Sequence, residues 1–105
     1  MRLSASEIEG IKKSINQFIF HDYYTLFLFG SRANQYKKGG DIDLLLVLAG
    51  ENAPTKNTVM TQKHHIIAEI KSAIGDQKID LVIAEKPDLT TDPFLQEITK
   101  TAIEL

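Results

Sequence analysis

The sequence predicts an α/β (α+β) fold, a small mixed β-sheet with helices packed on it, and three observations carry that expectation. Short apolar runs at residues 23–29, 41–48 and 78–84 have the length and the Tyr, Phe, Leu, Val and Ile content of strands. Apolar residues recur at helical spacing in the stretches before, between and after them. A helix-length segment separates the second run from the third, and a helical crossover favours a mixed sheet over a pure meander.

With 105 residues the chain has room for one domain, residues 1–105, and one core. Its 43% hydrophobic and 25% charged content is that of an ordinary globular protein. The formal net charge of −2 offers no basic surface, so direct binding of DNA or RNA is not expected. The absence of cysteine excludes disulfides, thiolate metal sites and cysteine nucleophiles. No run is long enough for a membrane span and the first residues lack a signal-peptide pattern, so a cytoplasmic location is expected.

Taken in order, Ser4-Ala5-Ser6-Glu7 fits a capping box, with Leu3 and Ile8 placed as a hydrophobic staple. Ile8, Ile11, Ile15, Phe18 and Ile19 then form one apolar stripe of a helix. Residues 23–29 follow as the first strand, and Gly30 permits a backbone path that a side chain would block. Residues 31–35 predict a short helical turn and 36–40 a loop, punctuated by Gly39-Gly40. The strand at 41–48 is continuously apolar in its upper half, as expected where both faces are covered.

Residues 49–57 read as an exposed connection. Thr58 is placed to cap a helix running to Ile74, with Lys63 (by its stem), Ile66, Ile67, Ile70 and Ile74 as its apolar stripe and Gly75 ending it in a left-handed conformation. The third strand is 78–84, and a turn-like 85–91 leads to Asp92 as cap and Pro93 as first residue of a last helix. Phe94, Leu95, Ile98, Ala102 and Leu105 mark the apolar side of that helix.

The chemistry concentrates between Phe29 and Leu48. Asp41 and Asp43 lie two apart on a strand, so they point to the same face about 7 Å apart. Two carboxylates on a strand that is otherwise Ile, Leu and Val are costly unless something positive sits between them, and a divalent cation is the economical candidate. The Gly30-Ser31 turn just upstream offers free N–H groups, a hydroxyl and a positive dipole end, all suited to phosphate. Asp80 is the carboxylate inside the third strand, and it joins the other two if that strand lies beside 41–48. An all-oxygen set suits Mg²⁺ or Mn²⁺, and three carboxylates can share two such ions about 3.5–4 Å apart, the arrangement used in phosphoryl chemistry.

Gly30-Ser31, ten residues on to Asp41, then Asp-x-Asp and a lone strand Asp resembles the pattern of the DNA-polymerase-β-like nucleotidyltransferases. The small size and the run Leu28-Phe29-Gly30-Ser31-Arg32-Ala33-Asn34 look most like the minimal nucleotidyltransferases of bacteria and archaea, over nearly the whole chain. Members of that family are typically paired with a helical HEPN-type toxin and act as antitoxins by transferring AMP from ATP to a toxin tyrosine. The resemblance implies Asp41, Asp43 and Asp80 as catalytic and metal-binding residues for Mg²⁺, with two ions expected. It also implies Gly30, Ser31, Arg32 and Gly40 around the nucleotide, a HEPN-type partner, and a hetero-complex or homo-oligomer. Three positions depart from the pattern. Gly40 stands where the family often has Ser, and Asn34-Gln35 where it often has a cation followed by Gly.

Each feature also has a plainer explanation. Asp-x-Asp at a strand start often merely faces solvent, and a one-residue slip in register would turn Asp80 to the other face. Arg32 either touches phosphate or points into solvent, while Lys37 and Lys38 suit a solvated loop. His64 and His65, being adjacent, face different directions on a helix and are read with His21 as structural or surface residues. Tyr23, Tyr24 and Tyr36 could stack on a base, although tyrosine is common at strand edges. The different-class alternative to an enzyme is a catalytically silent, nucleotide-binding antitoxin that neutralises its partner by docking. Adenylylation of a small molecule is a third reading, and such relatives usually carry an additional helical domain.

Overall fold

A computed structural model describes residues 2–34 and 40–105. The expected loop with Tyr36, Lys37, Lys38 and Gly39 lies outside the described residues, as does Gln35 at the end of the expected helical turn. Helix α1 (Ala5–Asn16) opens with the capping box read from sequence: the Glu7 N–H donates to Ser4 Oγ, and the Ser4 N–H donates to Glu7 Oε1, each at 3.0 Å. Leu3 is buried and Ile8 packs against the same cluster, as the staple requires. Phe18 and Ile19 pack into the core from beyond the end of the helix rather than from its stripe.

Strand β1 (Tyr24–Phe29) is followed by a single 3₁₀ turn at Gly30–Arg32, then β2 (Ile42–Leu48), helix α2 (Lys56–Ile74) and β3 (Ile79–Glu85). A one-turn helix α3 (Asp88–Thr91), helix α4 (Pro93–Thr99) and a two-residue strand β4 (Ile103–Glu104) complete the chain. Among the described residues the strands form one four-stranded sheet in the order β3-β2-β1-β4. The β1–β2 and β1–β4 pairs are antiparallel, while β2–β3 is parallel across the α2 crossover, so the sheet is mixed as expected.

Alternation along the strands sorts side chains into two cores. Leu26, Leu28, Leu44, Leu46, Leu81 and Ile83 face α1 and α2, where Ile11, Ile15, Ile66 and Ile70 are fully buried. Phe29, Leu45, Val47 and Ala84 face α4 through Leu95 and Ile98. Covered on both faces, β2 is buried from Leu44 to Leu48, which explains its unbroken apolar run. Helices α1 and α2 cross closely at Gly10, where an added Cβ would stand 2.8 Å from Ile74 Cγ2. Beside that crossing, the buried Ser14 hydroxyl donates to the Gly10 carbonyl at 2.8 Å.

Three boundaries differ from expectation. Helix α2 begins a turn early, capped by Thr55, whose Oγ1 accepts the Thr58 N–H at 3.2 Å. The early start carries Val59 into the core with no exposure, at the head of the Lys63-Ile66-Ile70 stripe. Gly75 ends α2 at φ 102° and ψ 167°, a glycine conformation but an extended one, not the left-handed helical region. The last helix stops at Thr99, because β1 has an unpaired edge and Ile103–Glu104 pair with Phe27 and Leu28 instead of extending the helix. Asp92 caps α4 through the Phe94 N–H (2.9 Å) with Pro93 at its first position, as anticipated. No helix among the described residues is long and apolar enough to cross a membrane.

Candidate functional site

Sheet register assembles the site. Asp43 stands opposite Phe29 in the antiparallel β1–β2 ladder and opposite Asp80 in the parallel β2–β3 ladder. Both aspartates share parity with Leu45, Val47 and Ala84, which places them on the α4 face of the sheet, with Asp41 two residues upstream of Asp43. The one-residue slip that would have turned Asp80 away does not occur. Asp41 and Asp43 are half-buried, whereas Asp80, on the edge strand, is exposed.

Gly30 turns the chain at the end of β1 with φ +72°. An added Cβ there would overlap Oδ2 of Asp43 and stand 3.1 Å from its Cγ, so the turn and the carboxylate occupy adjoining space. Ser31 is half-buried in the same turn, and its carbonyl accepts from the Arg2 guanidinium at 3.3 Å. An open cleft of about 360 Å³ is lined by Gly30 together with Phe29, Glu97, Ile98, Lys100 and Thr101.

The electrostatics are those of crowded like charges. Burial pushes the Asp43 carboxyl above its ordinary range, Asp80 and then Asp41 push it further, and Lys78 draws it partly back. Lys78 Nζ lies 3.5 Å from Asp41 Oδ2. Among the described residues no three His, Cys, Asp or Glu side chains are already gathered into a metal cage. The donor set itself fits a hard divalent cation: oxygen only, on one face, with one member made costly by burial and by two carboxylate neighbours that Lys78 offsets only in part.

Arg32 does something the sequence did not reveal. Its guanidinium donates to the carbonyls of Arg2 (2.9 Å) and Gly40 (3.1 Å) and to Gln77 Oε1 (3.0 Å). Gln77 in turn donates to Glu7 Oε2 at 3.0 Å, which ties the start of α1 to the turn. The clamp thus grips the residues just before Asp41 and just before Lys78. Arg32 faces protein carbonyls rather than bulk solvent, and Gly40 enters the site through its carbonyl. Sequence reading missed Lys78 as well, although the alternation that paired Asp41 with Asp43 also pairs it with Asp80.

His64 and His65 stack on one another at 4.0 Å on the exposed side of α2, and His21 lies 3.2 Å from Asp22, both away from the carboxylates. A second cleft, of about 400 Å³, lies at the C-terminal ends of β2 and β3 between Gly50, Pro54, Thr55, Lys86 and Pro87, at the opposite end of those strands. No protein-family model matches this chain, and no curated protein matches its sequence.

Proposed function

We propose that the protein is a Mg²⁺-dependent nucleotidyltransferase that moves AMP from ATP to a hydroxyl, a tyrosine of a HEPN-type toxin, and so acts as its antitoxin in the cytoplasm. The observation that carries this reading is the in-register Asp43–Asp80 pair, with Asp41 just ahead of the same strand and the Gly30 turn against the Asp43 carboxylate. The acceptor and the partner rest on the resemblance of the Gly-Ser…Asp-x-Asp…Asp pattern to minimal nucleotidyltransferases.

In this mechanism Asp41, Asp43 and Asp80 would hold Mg²⁺, which would supply charge neutralisation for the triphosphate and a lowered pKa for the attacking hydroxyl. Gly30 and Ser31 present main-chain N–H groups and a hydroxyl to phosphate oxygens. The acceptor oxygen bonds to the α-phosphorus, the bond to the β-phosphate oxygen breaks, and pyrophosphate leaves with that electron pair. Asp80, exposed at the sheet edge, would take the acceptor's proton. Positioning and charge neutralisation account for the acceleration. The site is open, so the acceptor must bring its own binding surface, which favours a protein over a small molecule.

One observation favours the silent alternative, an antitoxin that binds nucleotide and docks without transfer: the Arg32 guanidinium is engaged by three protein oxygens and not held ready for phosphate. A pull-down of the tagged protein from its host with Mg²⁺ and ATP labelled at the α-phosphate separates the two. Label on a co-purified protein, absent with Asp43→Asn, is the expected result. A partner captured by both proteins and labelled by neither would establish docking alone.

A further inference from the structure

We propose that Lys78 is an exchangeable counter-ion of the carboxylate cluster: it pairs with Asp41 in the unliganded protein, yields Asp41 to a divalent cation, and then faces the anionic phosphates of the bound nucleotide. The inference rests on the reading of the aspartates as a cation-binding set.

Register places it there. Ile42 pairs with Ile79, and the Ile42 N–H donates to the Lys78 carbonyl at 2.9 Å, so Asp41 and Lys78 stand side by side where the two strands begin. Lys78 is two residues before Asp80 and shares its face, which puts an ammonium among the three carboxylates. The pair is loose, at 3.5 Å with side chains 79% and 49% exposed, so its lysine gives way at little cost and its stem is free to swing. Lys78 also draws the Asp43 carboxyl back toward its ordinary range, so its charge reaches more than one member of the cluster.

An ammonium in that position acts with opposite signs on two ligands. It competes with a metal ion arriving alone, and it attracts the triphosphate once Asp41 has passed to the cation. Lys78→Met is therefore expected to tighten binding of Mn²⁺ alone by about threefold to fivefold, the size of an exposed pair's coupling. The same variant is expected to weaken binding of an ATP analogue, non-hydrolysable between the α and β phosphates, by a similar factor in saturating Mg²⁺. Lys78→Arg keeps the charge and is expected to stay within about twofold of wild type for both.

Free Mn²⁺ measured by electron paramagnetic resonance and analogue binding measured by calorimetry read these constants, with thermal unfolding of each variant as a check on the fold. A lysine that merely supports the strand start would move both affinities in the same direction, and that result, or no change in either, overturns the role of Lys78 while Asp43-dependent Mn²⁺ binding persists. Wild-type protein that takes up no more Mn²⁺ than Asp43→Asn would overturn the cation site and this inference with it.

Discussion

The Asp43 carboxylate fills space that only a glycine at position 30 leaves open: a Cβ on Gly30 would stand 3.1 Å from Asp43 Cγ and 3.3 Å from its Cβ, and would overlap Oδ2. The φ of +72° at Gly30 adds a conformational preference to this steric one.

Gly30→Ala is therefore expected to destabilise the fold by about 1–3 kcal/mol, the range for a strained backbone position. Asp43→Ala removes Oδ2 and Cγ but not the unfavourable φ, so the double variant should recover part of that loss and not all of it. Urea unfolding of the four proteins in a double-mutant cycle measures the coupling. Strictly additive losses would show that the two residues do not contend for space.

Asp43 also sets a pH dependence. Its pKa is raised from the ordinary 3.8, first by burial and then by Asp80 and Asp41, so between 3.8 and the raised value the folded protein binds more protons at this site than the unfolded chain. The stability this confers is present at low pH and is lost as pH rises through the raised value. At neutral pH Asp43→Asn should then be as stable as wild type or more so, with the advantage shrinking toward pH 4. Mg²⁺ with ATP should raise the melting temperature of wild type well above that of the variant's response. A variant that melts far below wild type at pH 7 without metal contradicts the account.

Glu7 works in the opposite sense. Hydrogen bonds from Gln77 and from the Ser4 N–H hold its carboxyl below the ordinary 4.5, so its contribution is present above that value and lost as pH falls through the lowered one. Glu7→Gln should destabilise at pH 7 and differ less from wild type at pH 3. Ser4→Ala, which removes the other half of the capping box, should cost about 1 kcal/mol at either pH. Urea midpoints at both pH values test the pair.

Arg32→Lys should cost about 1–3 kcal/mol, because one ammonium cannot span acceptors on Arg2, Gly40 and Gln77. Since Gly40 precedes Asp41 and Gln77 precedes Lys78, exchange of the Ile42 amide, which donates to the Lys78 carbonyl, should quicken in the variant. Unchanged exchange at Ile42 would mean that the clamp does not steady the strand starts.

Much of this was legible because short-range rules and long-range packing agree. The capping box at Ser4 and Glu7, the Asp92-Pro93 start of α4 and the buried run of β2 each follow from local chemistry that the fold does not contradict. The three aspartates were legible as a set once two strands were taken as neighbours, since a period of two leaves only one face for each. What escaped reading depends on distant partners. Ile103 and Glu104 look helical beside Ile98 and Ala102 until the bare edge of β1 claims them. Arg32 has no local sign of its three acceptors, which come from residues 2, 40 and 77. Val59 reads as loop-adjacent until Thr55, not Thr58, caps its helix.

The two-residue strand at the end of the chain has a consequence for handling the protein. Tyr24–Phe29 is rich in aromatic and aliphatic residues, and Ile103–Glu104, together with the Leu105 N–H donated to the Leu26 carbonyl at 2.9 Å, cover its outer edge. Removing these last residues would leave a flat apolar strand able to recruit another chain edge to edge. The opposite edge, β3, carries charged Asp80 and Glu85, flanked by Lys78 and Lys86, which discourages such pairing. A chain cut back before Ile103 is thus expected to aggregate before it unfolds.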